Sequence, residues 1–320
     1  MFLKKVLVLC AASLAMAHAA AQKDAWPSKP IRIITPTPAG VGSDAFARRY
    51  AEQLSLALKV PVVVENKPGA LATIGTDAVA KSPPDGYTIL FSVGNPFTMA
   101  PFLLSKLPYD AEKDFIAVTQ VYKGGSFIVA NKDLPYRSLR DLVIAAKSQP
   151  GKVTFASYGP GSTAHVGYEL FQEAAGIDLL HIPYKAGAIT DLIGGRVMLG
   201  WEPPVSALPH LKAGRLRALA YTGSKRSTAA PDVPTLSESY PGLEVFSWAG
   251  FWVPAGTPAP IVQRLYTQIA AITRSPEMKQ FIEDAGNEPI GASPAETAGI
   301  IRREAQFMGK LIKAKNIRLD

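Results

Sequence analysis

Alternation of short apolar runs with amphipathic segments is the feature that most limits how this chain can fold. Between residues 31 and 221, runs of four to six residues typical of strands are followed by longer runs with helical spacing. Such alternation predicts parallel strands joined through helices that cover the sheet. The predicted strands are Ile31–Thr35, Val62–Glu65, Tyr87–Ser92, Phe127–Ala130, Val153–Ser157, Val197–Trp201 and Arg217–Tyr221, and the predicted helices are Ala45–Leu58, Ile74–Lys81, Leu139–Ser148, Ala164–Ala175, Ala188–Gly194 and Val205–Ala213.

The C-terminal part departs from this pattern. After the sequence FSWAGFWVPAGTP, in which Trp248 and Trp252 are predicted to belong to a strand core, almost every residue fits a helix. The chain has 320 residues, of which 48% are hydrophobic, so it is long enough for two domains with real cores. The predicted C-terminal helices are Ala259–Thr273, Pro276–Ala285 and Ala295–Lys313.

One strand–glycine–helix pattern occurs twice. The first copy runs from Gly40 to Ala45 as GVGSDA, and the second runs from Gly159 to Ala164 as GPGSTA. Each copy follows a predicted strand and puts Ser, Thr or Asp at a helix start, where these residues cap well. The copies lie about 120 residues apart, which predicts two lobes whose helix N-termini face one cleft.

These turns are suited to an anion. A helix N-terminus presents unpaired N–H groups and a partial positive charge, and glycine allows a ligand to approach the backbone closely. The alternative is that both are ordinary connections between a strand and a helix. The candidate ligand-binding residues, which include polar residues at predicted strand ends, are Thr37, Ala39, Gly40, Val41, Gly42, Ser43, Ser92, Asn95, Ser157, Gly161, Ser162, Thr163, His165 and Glu202.

The first turn also matches a dinucleotide-binding pattern. G-x-G-x-x-A follows a strand, and Glu65 ends the next strand 20 residues beyond Ala45. Pro36 and Pro38 make this turn longer and stiffer than that motif requires, and the second copy has no matching acid. A dinucleotide-binding oxidoreductase therefore stays as the weaker alternative.

Catalytic and metal chemistry receive little support. The three histidines at positions 165, 181 and 210 lack the spacing of metal ligands. Ser162 and His165 resemble a nucleophile and base, but Ser162 is explained more simply as a helix cap, and no G-x-S-x-G sequence is present. We therefore predict no enzyme, no cofactor and no metal, with an exported hydrolase as a further alternative.

The N-terminus has the form of a secretory signal peptide. Residues 1–21 contain a basic start, a short apolar stretch and small residues around Ala19 to Ala21. The single cysteine, Cys10, lies in this segment, so the mature chain is predicted to lack disulfides. The formal charge of +8 comes from dispersed Lys and Arg residues, which indicates a solvated basic surface and no nucleic-acid partner. We expect a monomer in the periplasm.

Several long motifs carry a family resemblance that covers the chain from Trp26 to Asp320. Together they resemble the periplasmic solute receptors of tripartite tricarboxylate transporters, the Bug family. The motifs are WPSKPIRIITPTPAGVGSD, VVVENKPGALATIGTDAVAKSPPDGYTIL, LPYDAEKDF, SQPGKVTFASYGPGSTAH, IPYK with TDLIGGRV, SALPHLKAGRLRALA and VPAGTPAPIVQRL.

This resemblance implies an α/β, two-lobed periplasmic binding protein of the type II-like class, with a mainly parallel sheet in each lobe. The lobes close like a hinged trap on a small carboxylate, which backbone groups and bridging waters hold without a basic side chain. Residues 22–123 and 249–320 are expected to form lobe 1, and residues 124–248 an inserted lobe 2. The loaded receptor is expected to meet membrane transporter subunits or a sensor domain.

The sequence departs from the family at positions near the expected pocket. Thr37 and Val41 replace an aromatic residue and a glycine, Leu71 and Ala72 stand where glycines are common, and Pro203 follows Glu202 in place of Asn. The chain is also two residues shorter after Tyr184 and Lys185. For Glu202 two interpretations stay open, a residue that faces the ligand or a solvated residue at a strand end.

Overall fold

The chain forms two β-sheets, each flanked by helices. The structure is a computed structural model that describes residues 26–40, 42–184, 187–315 and 317. The predicted signal peptide, Cys10, Val41 and Lys185 lie outside the described residues. None of the helices that the structure describes is long and apolar enough to span a membrane.

Eleven strands within the described residues build the two sheets. The strands are β1 (Ile31–Thr35), β2 (Val62–Asn66), β3 (Thr88–Val93), β4 (Phe115–Gly124), β5 (Phe127–Asn131), β6 (Thr154–Ser157), β7 (Leu180–Pro183), β8 (Leu199–Glu202), β9 (Leu216–Tyr221), β10 (Ser247–Pro254) and β11 (Glu288–Pro289). The six-stranded sheet has the order β11-β4-β10-β3-β1-β2, and the five-stranded sheet has the order β7-β6-β8-β5-β9.

Both sheets are mixed in the same way. In the larger sheet β1 is parallel to β2 and β3, while β10 is antiparallel to β3 and β4. In the smaller sheet β6 is parallel to β7 and β8, while β5 is antiparallel to β8 and β9. The two-lobed α/β class is confirmed, but the sheets predicted to be mainly parallel are mixed, because β5 and β10 each enter from the other sheet and run against their neighbours.

Helices cover both faces of each sheet. They are α1 (Gly42–Leu58), α2 (Thr73–Ala80), α3 (Asn95–Thr98), α4 (Ala100–Leu103), α5 (Leu139–Ser148), α6 (Thr163–Ala175), α7 (Ile189–Ile193), α8 (Pro204–Lys212), α9 (Leu236–Ser239), α10 (Ala259–Arg274), α11 (Pro276–Asp284) and α12 (Pro294–Ala314). A single 3₁₀ turn, Ala70–Ala72, precedes α2 within the described part.

Spacing along the sequence explains how the helices pack. Phe46, Tyr50, Leu54 and Leu58 recur every fourth residue of α1 and are all buried against the larger sheet. Burying a side chain of this size stabilises the fold by about 1.5–3 kcal/mol relative to leaving it in water. β1 contributes to both faces of the sheet, because Ile31 and Ile33 pack in this cluster while the following Ile34 packs in another.

Two stretches of chain connect the sheets side by side. β4 ends at Gly124, which pairs with Ser247 at the start of β10. Just beyond this pair, Ser126 and Thr222 exchange hydrogen bonds, and the Val245 N–H donates to the Thr222 carbonyl oxygen at 3.0 Å. The connections are therefore anchored to each other where the chain passes between the sheets.

The C-terminal helix also reaches both lobes. α12 begins at a capping box formed by Ser293 and Glu296. Near its other end, Met308 and Leu311 share an apolar cluster with Leu103 of α4 and Val166 of α6. The larger sheet's helices are thus packed against the helix that follows β6.

Candidate functional site

A cavity of about 190 Å³ lies between the lobes, beyond the carboxyl ends of β3 and β6. Ligands of open α/β sheets commonly bind at such an edge. Larger grooves of about 590 and 1170 Å³ run along α12, but neither contains a residue of the glycine turns. The residues lining the smaller cavity are Leu71, Ala72, Val93, Asn95, Met99, Ala100 and Leu103 on one side and Tyr158, Gly161 and Ser162 on the other.

The two sides of this cavity are in contact. Thr163 Oγ1 lies 3.5 Å from Asn95 Oδ1, and a Cβ atom placed on Gly161 would lie within 2.4 Å of Leu103 Cδ1. Of the predicted residues, Asn95, Gly161 and Ser162 therefore line one cavity, with Thr163 at its border. Gly161 has a φ of 73° and lies against the facing lobe, so both its backbone conformation and the available space favour glycine.

The first glycine turn holds a carboxylate that belongs to the protein itself. Asp44 is 3% exposed and accepts hydrogen bonds from the Gly40 N–H at 2.9 Å, from Arg48 Nε at 2.9 Å and from Asn66 Nδ2 at 2.8 Å. Burial alone would raise the pKa of Asp44, but these donors and the positive charge of Arg48 outweigh burial and lower it. Asp44 thus occupies the Gly40 N–H that was predicted to serve a ligand.

The rest of the first turn stays apart from the cavity. Thr37 Oγ1 lies 3.0 Å from Thr35 Oγ1, and the Thr37 carbonyl accepts from Asn66 Nδ2 at 3.0 Å. Ala39 is exposed and Ser43 is half-buried. Among the described residues from Thr37 to Ser43, none lines the cavity, and Gly42 opens α1.

Two histidines, His165 and His181, stabilise the second turn through hydrogen bonds. The Gly161 N–H donates to His165 Nδ1 at 3.0 Å, and Ser162 Oγ accepts the His165 N–H at 3.3 Å, as a helix cap does. The His165 ring stacks on His181 with centroids 4.2 Å apart, and His181 Nε2 lies 2.6 Å from Ser157 Oγ. Burial lowers the pKa of His165, and burial together with the neighbouring His165 lowers the pKa of His181 to about 4.

This arrangement leaves the start of α6 open. His165 and Ser157 occupy the N–H groups of Gly161 and Gly159, and Ser162 caps residue 165. The N–H groups of Thr163 and Ala164 have no hydrogen-bond partner among the described residues. They are the first two N–H groups of a helix of 13 residues and lie at the border of the cavity, where an anion is favoured.

Glu202 fits neither of the two interpretations made from the sequence. It is 2% exposed, so it is not solvated, and it does not line the cavity. Its carboxylate accepts hydrogen bonds from Tyr158 Oη at 3.0 Å and Ser206 Oγ at 2.7 Å. Burial raises the pKa of Glu202, although both donors oppose that rise. Glu202 is therefore linked to the cavity through Tyr158, which does line it.

Comparison with known proteins decides the family. Residues 46–317 match the model described as "Tripartite tricarboxylate transporter family receptor". The chain belongs to this family. Protein BugT of Bordetella pertussis is 37% identical over 300 residues, which cover 92% of each chain. The structure of R. palustris Rpa4515 with adipate has a TM-score of 0.84 and 31% identity and covers 92% of this chain and all of that one. MatC from Rhodopseudomonas palustris, solved with bound malate, has a TM-score of 0.79 and 26% identity, covering 90% of this chain and all of that one.

Two other residues singled out in the sequence of this family receptor, Ser92 and Glu65, do not line the cavity. Ser92 is 1% exposed in β3, and its Oγ has no hydrogen-bond partner within the described part of the chain. Glu65 forms ion pairs with Arg32 of the neighbouring strand β1 at 3.1 Å and with Lys67, which directly follows its own strand β2, at 2.9 Å. The acid of the dinucleotide pattern is thus engaged with basic side chains.

The arrangement of Ser162 and His165 does not support a hydrolase. The contact between them joins Ser162 Oγ to a backbone N–H, while the ring nitrogen Nδ1 of His165 accepts from Gly161. A general base would need its ring nitrogen within reach of the hydroxyl. Among the described residues, no cluster of three or more His, Cys, Asp or Glu side chains is suited to a metal ion.

Sequence reasoning missed the apolar side of the cavity. Leu71, Val93, Met99 and Leu103 come from three separate segments of the larger lobe. Leu71 had been noted only as a departure from glycine. Tyr158 was missed as well, although it directly follows β6 in the second glycine turn and so was within reach of the strand-end argument.

Proposed function

We propose that this receptor binds a small carboxylate between its lobes in the periplasm and delivers it to a tripartite tricarboxylate-type membrane transporter or a sensor. One observation carries the proposal. In a chain of this family, a cavity between the lobes brings Asn95 and Ser162 beside the N–H groups of Thr163 and Ala164, which have no partner among the described residues. A carboxylate at this position gains hydrogen bonds and a favourable helix dipole without a basic side chain.

Two similar structures support this ligand class. Rpa4515 is described with adipate and MatC with malate, and both are carboxylates. Their folds match almost all of this chain. We infer that the cleft serves binding and delivery and not catalysis, with lobe 1 comprising residues 22–123 and 249–320 and lobe 2 comprising residues 124–248. The side-by-side connections near Gly124 and Ser247 support these boundaries.

Isothermal titration calorimetry on the mature chain tests the proposal. Malate, adipate and hexanoate, each with its amide as an uncharged control, form the first panel. We expect saturable binding of at least one carboxylate, near the ~8 kcal/mol of a micromolar complex, and no binding of its amide. Absence of binding across a broad range of carboxylates, or equal binding of acids and amides, would overturn the proposal.

A further inference from the structure

The segment between β2 and α2 has an unusual backbone. Ala70, Leu71 and Ala72 have φ values of 44°, 54° and 70°, so three successive residues with side chains adopt the left-handed conformation. This conformation is unfavourable for residues other than glycine, and such strain persists only where the surrounding structure holds it in place. Thr73 Oγ1 donates to the Ala70 carbonyl at 2.7 Å and Thr76 Oγ1 to the Ala72 carbonyl at 2.8 Å, which stabilises the segment.

Two of these three residues line the cavity between the lobes. Leu71 and Ala72 contribute to its wall, whereas Ala70 does not. Glycine at position 71 would relieve the strained backbone but would remove the largest side chain that the segment offers to the cavity. The strained backbone therefore places an apolar side chain in the cavity wall. Leu71 is 37% exposed.

Apart from Asn95, the wall that continues from Leu71 is apolar. Val93, Met99, Ala100 and Leu103 extend it, all from the larger lobe. The polar groups, Asn95, Ser162 and the unpartnered N–H of Thr163, lie together where the lobes meet. No Lys, Arg, His, Asp or Glu is found among the described residues that line the cavity. The site has one place for an anion and an apolar surface facing the rest of the space.

Tyr158 keeps its side of the cavity uncharged as well. Its hydroxyl donates to the buried Glu202, so that hydrogen is not offered to a ligand. A cavity of about 190 Å³ lies below the roughly 300–1,000 Å³ of typical small-molecule pockets, so the ligand is small. A second carboxylate on it would have to leave water beside an apolar wall without a partner.

We propose that the ligand is a monocarboxylate with a compact apolar body, held by its carboxylate at the start of α6 and by its body against Leu71, Met99 and Leu103. This inference rests on the proposed function, because it specifies which carboxylate the same cleft accepts. It concerns the end of the ligand opposite the carboxylate, and so it can fail while carboxylate binding stands.

Matched ligand pairs test it by titration calorimetry on the wild-type mature chain. Hexanoate and adipate have the same chain length and differ by one carboxylate, and benzoate and terephthalate form an aromatic pair. We expect the monocarboxylate to bind about tenfold or more tightly than its dicarboxylate partner in at least one pair. Equal or tighter binding of both dicarboxylates would overturn the inference and leave the proposed function intact. Absence of binding of all four would overturn the inference, and the wider carboxylate panel would then decide the proposed function.

A pair of variants separates the cavity wall from backbone strain. Leu71→Gly and Ala70→Gly each place glycine at a left-handed residue, but only Leu71 lines the cavity. Neither should lower the melting temperature by more than a few degrees, because the strain each relieves offsets the greater freedom of glycine in the unfolded chain. Leu71→Gly should weaken monocarboxylate binding by about fivefold or more and reduce its advantage over the dicarboxylate, while Ala70→Gly keeps both. If Leu71→Gly binds every ligand as the wild type does, the apolar wall does not select the ligand.

Discussion

The turns after β1 and β6 have nearly the same sequence, yet different groups occupy them. In the first turn, Asp44 takes the Gly40 N–H and is itself paired with Arg48. In the second, the neutral ring of His165 takes the Gly161 N–H, and the first two N–H groups of α6 have no partner among the described residues. A strand–glycine–helix pattern therefore indicates a possible anion site, but in both lobes a side chain of the first helical turn already occupies one of its glycine N–H groups.

The buried acids of the two lobes, Asp44 and Glu202, also differ in the groups that surround them. Asp44 lies among three donors, one of them an arginine, and its pKa is lowered. Glu202 has only the hydroxyl groups of Tyr158 and Ser206 as donors, and burial raises its pKa. The first acid thus gains from its charge in the folded state, whereas the second loses. Four predictions follow this contrast.

Thr163→Pro should have the largest effect on binding. Proline removes the open N–H at the first position of α6, where helices tolerate it, and the preceding Ser162 already has the extended ψ of 158° that proline requires. A hydrogen bond to a charged group contributes about 1.5–3 kcal/mol, so we expect about a 10- to 150-fold loss in calorimetry with whichever of hexanoate and adipate binds the wild type better. Thr163→Ala keeps the N–H and should bind within about threefold of wild type. Equal losses in the two variants would assign the effect to the side chain and remove the helix start from the site.

Asp44→Asn should destabilise the fold while sparing the ligand. Asparagine replaces one acceptor oxygen with a donor that faces other donors, which we expect to cost about 2 kcal/mol of unfolding free energy at neutral pH. Since the pKa of Asp44 is lowered in the folded state, its stabilisation is present above its ordinary pKa of 3.8 and is lost as the pH falls through the lower folded value. Urea unfolding of both proteins between pH 7 and pH 3 should show the difference shrinking only below about pH 4. A large loss of carboxylate affinity in Asp44→Asn would mean that the first turn does take part in binding.

Gly161→Ala and Gly40→Ala compare one glycine of positive φ from each turn, the second of its copy and the first of its copy. Both glycines have positive φ, 73° and 80°, so each alanine should cost about 1–2 kcal/mol of unfolding free energy. Only at position 161 does the added Cβ meet the facing lobe, at Leu103, whereas at position 40 nothing lies within 4 Å. We expect Gly161→Ala alone to weaken ligand binding, by about 1–2 kcal/mol, and to enlarge the radius of gyration of the loaded protein in small-angle scattering. Equal binding by the two variants would show that the contact between lobes is not needed for capture.

The sequence predicted much of the fold because local spacing and burial agree. The four-residue spacing of the apolar side chains in α1 placed the helix, and Ser162 was identified as a cap. β4 was missed because polar residues interrupt its apolar pattern. The buried Thr119 donates to the Ala292 carbonyl at 2.7 Å, and the Gln120 N–H donates to Thr297 Oγ1 at 2.9 Å. Both partners lie more than 170 residues away, so no local pattern shows that these polar residues belong to a strand.

The candidate site was predictable only on its polar side. Asn95, Gly161 and Ser162 belong to strand ends and turns, which the sequence marks. The partner of Gly40 was partly visible, since Asp44 and Arg48 have the i, i+4 spacing of a helical ion pair. The apolar side depends on tertiary packing, which brings Leu71 and Leu103 against the start of α6, and no local pattern records that contact.

Glu202→Gln should have the smallest effect, and one of opposite sign to Asp44→Asn. Glutamine keeps an acceptor for Tyr158 and Ser206 and removes a buried charge that has no cationic partner among the described residues. Because burial raises the folded pKa of Glu202, its stabilising contribution is complete below its ordinary pKa of 4.5 and is lost as the pH rises through the folded value. The variant should therefore match or exceed wild-type stability at pH 7, by less than about 1 kcal/mol, and lose this advantage below about pH 4.5. Urea unfolding at both pH values measures the difference, and a hexanoate titration should change little, because Tyr158 keeps its partner. Destabilisation at pH 7 comparable to that of Asp44→Asn would mean that both lobes depend on a buried charge. The two buried acids would then not differ in their contribution to stability.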